Sequence, residues 1–162
     1  MAKLSLHSDD SIFDFVLLGI SSQENQYVLV SVINDFLNIE LELNRFIPLI
    51  LKSSDLFEFS QYRYIDENHA LEYYFLPNRS NHRNERKKPQ TSDLFSEIKH
   101  SIDESVLLIP ELKQTDFFIL IKGEKAEYYK TKLFELLKST PYIDTVHEII
   151  PEKLASRNNL VF

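Results

Sequence analysis

Side chains able to do chemistry are numerous in this chain, but they do not stand in a recognised pattern. The five histidines are His7, His69, His82, His100 and His147. None lies at metal-ligand spacing from another, and no His-Glu-x-x-His pair exists. Cysteine is absent, which removes a thiol nucleophile, a disulfide and Cys-ligated zinc. Ser96-Glu-Ile-Lys99 fits a Ser-x-x-Lys spacing, but the Ser-Asp-Asn and Lys-Thr-Gly motifs that should accompany it are missing. The pair therefore reads as surface residues. Acids cluster at Asp9-Asp10, Glu40/Glu42, Asp66-Glu67 and Asp103-Glu104. Glu40 and Glu42 share one strand face by the two-residue period, which reads as a solvated face. The only glycines are Gly19 and Gly123, so no Gly-x-Gly phosphate cradle can form. No catalytic residue, metal site or cofactor is assigned, and the reading leans away from an enzyme.

One local feature does suggest binding. Arg79, Arg83, Arg86, Lys87 and Lys88 are opposed only by Glu85, inside a chain of net charge −7. Such a cluster could neutralise phosphates, and the aromatic segment before it could offer stacking surfaces. Phe57 and Phe59 share a face, as do Tyr62 and Tyr64, and Tyr73 and Phe75. The Lys/Arg-Gly-Phe-Gly-Phe motif of RNA-recognition sheets is absent. Core packing is the plainer use of these rings. The plainer use of the basic stretch is as a solvated linker, or as a contact with the acidic body of the protein.

The elements that would position these residues follow from periodicity. At 162 residues, with 12 Phe and 8 Tyr, the chain suits one domain over 1–162 with a large core. A pattern occurs twice. Asp14-Phe-Val-Leu-Leu-Gly-Ile20 is a buried-strand run, followed by a helical stripe from Gln23 to Leu37 that opens on a capping box, Ser21 to Glu24. Asp116-Phe-Phe-Ile-Leu-Ile121 is the second run, followed by a helix from Glu124 to Lys138. Gly19 and Gly123 fall near the ends of these runs, where a strand turns into a helix. A strand at Ile39–Leu43 is ended or interrupted by Pro48, and 56–65 with 71–76 form a hairpin. Residues 78–92 read as a mobile basic surface loop, and 94–100 as a short helix or an edge strand. Val106–Ile109 is a strand halted at Pro110, 145–150 is the last strand, and the tail 158–162 docks on the body. The expected fold is α+β: a two-layer, ferredoxin-like sandwich, with a mainly antiparallel sheet and two main helices on one face.

Ile109-Pro-Glu-Leu-Lys-Gln-Thr-Asp-Phe117 resembles the signature of the IPExxxVDY family, small proteins found mainly in Bacteroidetes. Ile109, Pro110, Glu111 and Asp116 match it, while Thr115 stands in place of Val and Phe117 in place of Tyr. The segments 15–21, 118–123 and 159–162 are also similar to the family. The resemblance implies a bacterial, cytoplasmic setting and supplies no ligand or catalytic residue. The bland role of Asp116, at the start of the second buried run, is to accept from nearby loop N–H groups, with a binding role as the alternative; Pro110 can end one strand and stiffen the connection in which Glu111 follows.

No apolar run approaches the roughly 18 residues of a membrane span, and no signal peptide is evident, so the expectation is a cytoplasmic protein without membrane contact. The expected function is non-catalytic binding or assembly, with a second copy or another protein as partner. RNA binding through Arg79–Lys88 is one alternative. A small-molecule sensor or enzyme, with Asp14, Asp116 and Glu111 converging on a pocket, is the other.

Overall fold

The computed structural model describes residues 13–51, 56–80 and 105–162. In chain order these form β1 (Phe15–Ser21), α1 (Gln26–Leu37), β2 (Glu42–Ile50), β3 (Leu56–Asp66), β4 (Leu71–Pro77), β5 (Arg79–Ser80), β6 (Val106–Leu107), β7 (Phe117–Lys122), α2 (Ala126–Ser139) and β8 (Thr145–Ile149). Short 3₁₀ turns follow at Pro151–Lys153 and Arg157–Leu160. Six strands make one sheet in the order β2-β3-β4-β7-β1-β8, and β5 pairs with β6 apart from it. Every neighbouring pair is antiparallel. The fold is an α+β sandwich. The strands β8-β1-β7-β4 keep the ferredoxin-like arrangement, with α2 carrying the chain from β7 across β1 to β8. Two further strands, β3 and β2, extend that sheet, so α1 crosses three strands before the chain re-enters it.

Apolar patterning explains the layers. Val16, Leu18 and Ile20 of β1 and Phe117, Ile119 and Ile121 of β7 face the helices, where Leu29, Val30 and Ile33 of α1 and Leu133 and Leu137 of α2 cover them. Phe15 and Leu17 of β1 and Phe118 and Leu120 of β7 point to the other face. There Leu108, Ile109, Leu154 and Leu160 cover them, from the segment around β6 and from the C-terminal turns. Full burial of one such side chain contributes roughly 1.5–3 kcal/mol, so both covers matter. Docking of the C-terminal tail is confirmed by the complete burial of Leu160.

Several local expectations are corrected. Helix α1 starts at Gln26, capped by Asn25, whose side chain accepts from the N–H groups of Tyr27 and Val28. Ser21 instead ends β1 and donates to the Gln114 carbonyl at 2.8 Å. The expected Ile39–Leu43 strand lies further on, as β2, and runs through Pro48. That is tolerated because β2 is an edge strand. The strand expected at Val106–Ile109 is only two residues long. Residues 78–80 are not loop: Asn78 is fully buried and Arg79–Ser80 form β5. Residues 81–100, which hold the remainder of the expected basic loop and the ambiguous 94–100 segment, lie outside the described residues.

Gly19 has a different role from the one its place in the repeat suggests. It lies within β1, opposite His147 of β8. A Cβ there would sit 2.5 Å from the His147 ring. Only Gly123, with φ +131° and its backbone against Ala70, is a conformational glycine. Gly19→Ala is expected to destabilise the protein by about 1–3 kcal/mol in urea unfolding. The loss should shrink in a His147→Ala background, where the ring is gone. Equal losses in the two backgrounds would refute the steric account.

Candidate functional site

The residues of the family-like signature form a junction between the end of β4, the start of β7 and the C-terminal turns. At its centre is a residue the sequence reading placed in a loop. The Asn78 N–H donates to the Asp116 carbonyl at 2.8 Å, and the Asn78 carbonyl accepts from the Leu108 N–H at 2.8 Å. Its side-chain amide donates to the carbonyls of Leu112 and Thr115, both at 2.9 Å. Its side-chain oxygen accepts from the Ile109 N–H at 2.8 Å. One buried side chain thus satisfies three backbone groups of an irregular, partly exposed segment, two of them in fully buried bonds. Ile109 is fully buried beneath it, whereas Pro110 is exposed.

The acids of the signature hold backbone. Glu111 Oε1 accepts from the Ser156 N–H at 2.7 Å and so ties down the C-terminal turns. Burial pushes its carboxyl up, but hydrogen bonds from its own N–H, Ser156 and Ala155 outweigh this and leave it below the ordinary value. Asp116 Oδ2 accepts from the Ser22 N–H at 3.0 Å, and its other oxygen lies 3.9 Å from Arg79 Nε. Asp14 is exposed at the opposite end of the β1–β7 ladder, in which Phe15 pairs with Lys122 and Ile20 with Phe117. At about 3.4 Å per residue this separates Asp14 from Asp116 by on the order of 20 Å. The convergence needed for a carboxylate site is absent.

Of the basic cluster, only Arg79 is described. It is partly exposed, and its Nη2 donates to the Lys113 carbonyl at 2.9 Å, against the signature segment. Arg83, Arg86, Lys87 and Lys88 lie outside the described residues. Phe57, Phe59, Tyr62, Tyr74 and Phe75 are buried, so the plainer reading of the hairpin rings as core is correct for these five. His147 faces Thr115, its Nε2 lying 3.1 Å from the Thr115 hydroxyl, and burial lowers its pKa. The neighbouring Glu148 pairs with Lys130, at 2.7 Å. Among the described residues no group of three or more acids and histidines could hold a metal ion.

A second constellation lies on the sheet face away from the helices and was not foreseen. Lys122 of β7 points its ammonium at three rings: Phe162 at 4.8 Å, Tyr74 at 5.1 Å and Phe15 at 5.8 Å. Arg45 of β2 stands over the same Phe162 ring at 5.7 Å, and Arg63 of β3 over Tyr74 at 5.7 Å. Glu72 of β4 receives the Arg63 guanidinium at 3.0 Å and the Tyr74 hydroxyl. Those bonds, that of Tyr74 foremost, hold the Glu72 carboxyl below its ordinary value, against partial burial. Tyr74 is pushed up by burial and by Glu72. Lys122 is pushed down by burial and by Arg45 and Arg63, with Glu72 opposing. A phenol held protonated beside a carboxylate held charged is a poor acid–base pair, so the arrangement suits charge recognition better than proton transfer.

The sequence did carry a faint signal for this cluster. Gln61 and Arg63 occupy the same strand parity as the core residues Phe57 and Phe59, and Lys122 ends a buried run. Polar residues in core register on a buried sheet are the informative exceptions.

Comparison with family models, curated proteins and solved structures returns no match.

Two outcomes are expected. Asn78→Ala leaves three backbone groups without their partner, two of them buried, and should cost about 2 kcal/mol or more in urea unfolding; a cost under about 1 kcal/mol would refute the role of Asn78 as the pin of this junction. For Glu72, a folded pKa below the ordinary 4.5 means its stabilisation is complete above that pH and is lost as pH falls through the depressed value. The urea midpoint of Glu72→Gln should therefore fall less steeply below pH 4.5 than that of the parent protein.

Proposed function

We propose that this protein is a non-catalytic binding or assembly protein that associates with a second copy of itself through one face of β2. The observation that carries the reading is an apolar strip on this edge strand. Leu43 is 51% exposed, Phe46 53% and Ile50 72%, with Tyr27 of α1 70% exposed close by. Phe46 pairs in register with Ser60, Pro48 with Glu58 and Ile50 with Leu56, so all three project on one face. Leu43 would fall on the opposite face, but a register shift between Leu43 and Arg45 sets it against Tyr62 and returns it to the strip.

The geometry favours a copy of the same chain as occupant. Phe46 is the central residue of β2, so a two-fold axis beside it would set each strip against its twin. Pro48 lacks an N–H and blunts strand-to-strand addition, which favours packing through side chains. The net charge of −7 disfavours a phosphate-rich partner on this uncharged strip. The reading also takes the chain as a cytoplasmic relative of the IPExxxVDY family. Its support is the Ile109, Pro110, Glu111 and Asp116 match, together with the lack of any described helix long and apolar enough to cross a membrane.

Sedimentation velocity across a concentration series tests the proposal. The parent protein should shift toward a dimer with concentration, and Phe46→Asp should stay monomeric with an unchanged circular dichroism spectrum. A parent that is monomeric throughout, or a Phe46→Asp variant that still dimerises, would refute self-association through this strip.

A further inference from the structure

We propose that Arg45, Gln61, Arg63 and Lys122 form a binding site for a small oxyanion, on the sheet face opposite the helices. The charge balance is the first argument. Three cations from three strands gather around the Tyr74 and Phe162 rings; among the described residues the one carboxylate in contact, Glu72, pairs with Arg63 alone, and Lys122 Nζ donates only to the Phe162 main-chain oxygen, at 3.4 Å. Glu42, opposite Arg63 in the register, is exposed and lies within ion-pair distance of none of them. Gathering like charges on a partly dry face is unfavourable unless a counter-charge joins them.

Unused donors are the second argument, and it is independent of charge. Gln61 is fully buried. Its Oε1 accepts from Asn44 Nδ2 at 2.8 Å and from Arg45 Nε at 3.2 Å, which fixes the orientation of the amide. Its Nε2 is then left buried with no hydrogen-bond partner. Arg63 Nε is buried and unpartnered as well, although the same guanidinium reaches Glu72 through Nη2. Buried N–H groups without acceptors are unfavourable, because they give up water and gain nothing in exchange. Two of them, two residues apart on one strand face and beside an excess of positive charge, call for an acceptor that is itself anionic.

The available groups define the chemistry. Two guanidinium groups offer forked donors suited to a planar or tetrahedral oxyanion, Lys122 adds a point charge, and Gln61 adds a neutral donor. The surrounding rings give the site a low-dielectric wall, against which these bonds are stronger than in water. A carboxylate or a phosphate meets these requirements; a cation or an uncharged sugar does not.

Isothermal titration calorimetry in an oxyanion-free buffer tests this, with inorganic phosphate in one arm and acetate in the other. Saturable binding in either arm supports the site, and the tighter arm assigns the head group. Arg45→Gln, which alters an exposed side chain, and Lys122→Met should each weaken binding about tenfold or more. Glu72→Gln should tighten it several-fold, since it removes the competing carboxylate; a purely structural cluster would not respond in that direction. The absence of saturation by about 10 mM of either anion would overturn the proposal. So would equal affinity in the parent, Arg45→Gln and Lys122→Met proteins.

Discussion

The antiparallel ladder between β1 and β7 carries apolar side chains on both faces, so water has to be kept from both. Leu18, Ile20 and Ile121 look toward the helices, and Leu17, Phe118 and Leu120 look away from them, all at or near complete burial. With roughly 1.5–3 kcal/mol at stake per side chain, this requirement outweighs any exposed ion pair, which contributes about 0–1 kcal/mol. Two amphipathic helices meet it on one face. On the other, an irregular segment and two 3₁₀ turns serve among the described residues.

Covering a sheet with irregular chain raises a second demand. A helix satisfies its own backbone, but a loop pressed against a dry core does not. The Asn78 side chain answers this for Ile109, Leu112 and Thr115, and the Glu111 carboxylate does so for Ser156. Asp116 does the same for Ser22, where β1 leaves the sheet. The residues of the family-like signature are thus fastenings of the cover on the helix-free face. Their acidity is used to accept backbone hydrogen bonds.

Beyond β4 the sheet changes character. Toward β3 and β2 the helix-free face carries Gln61, Arg63 and Arg45 in place of leucines, with Phe162 and Tyr74 between the cations. On the helix face the same extension leaves Phe46 and Ile50 more than half exposed. Both candidate surfaces therefore arise from one feature, the two strands added to a ferredoxin-like core.

The sequence by itself determined what depends on short-range periodicity. The continuous apolar runs of β1 and β7, the alternating aromatic hairpin of β3 and β4, and the core stripes of both helices were legible, because each is a repeat of two or 3.6 residues within one segment. Boundaries that depend on a single side chain were missed. Asn25 outcompeted Ser21 as a cap, and Pro48 fell inside a strand because only the assembled sheet places that strand at an edge. Asn78 looked like loop punctuation, since its three side-chain partners lie more than thirty residues away. The cluster of Arg45, Gln61, Arg63, Glu72 and Lys122 draws on four strands, and strand order is what sets them side by side. Tertiary structure alone decided those neighbours, because which residues share a row across a sheet depends on pairing and register between segments distant along the chain.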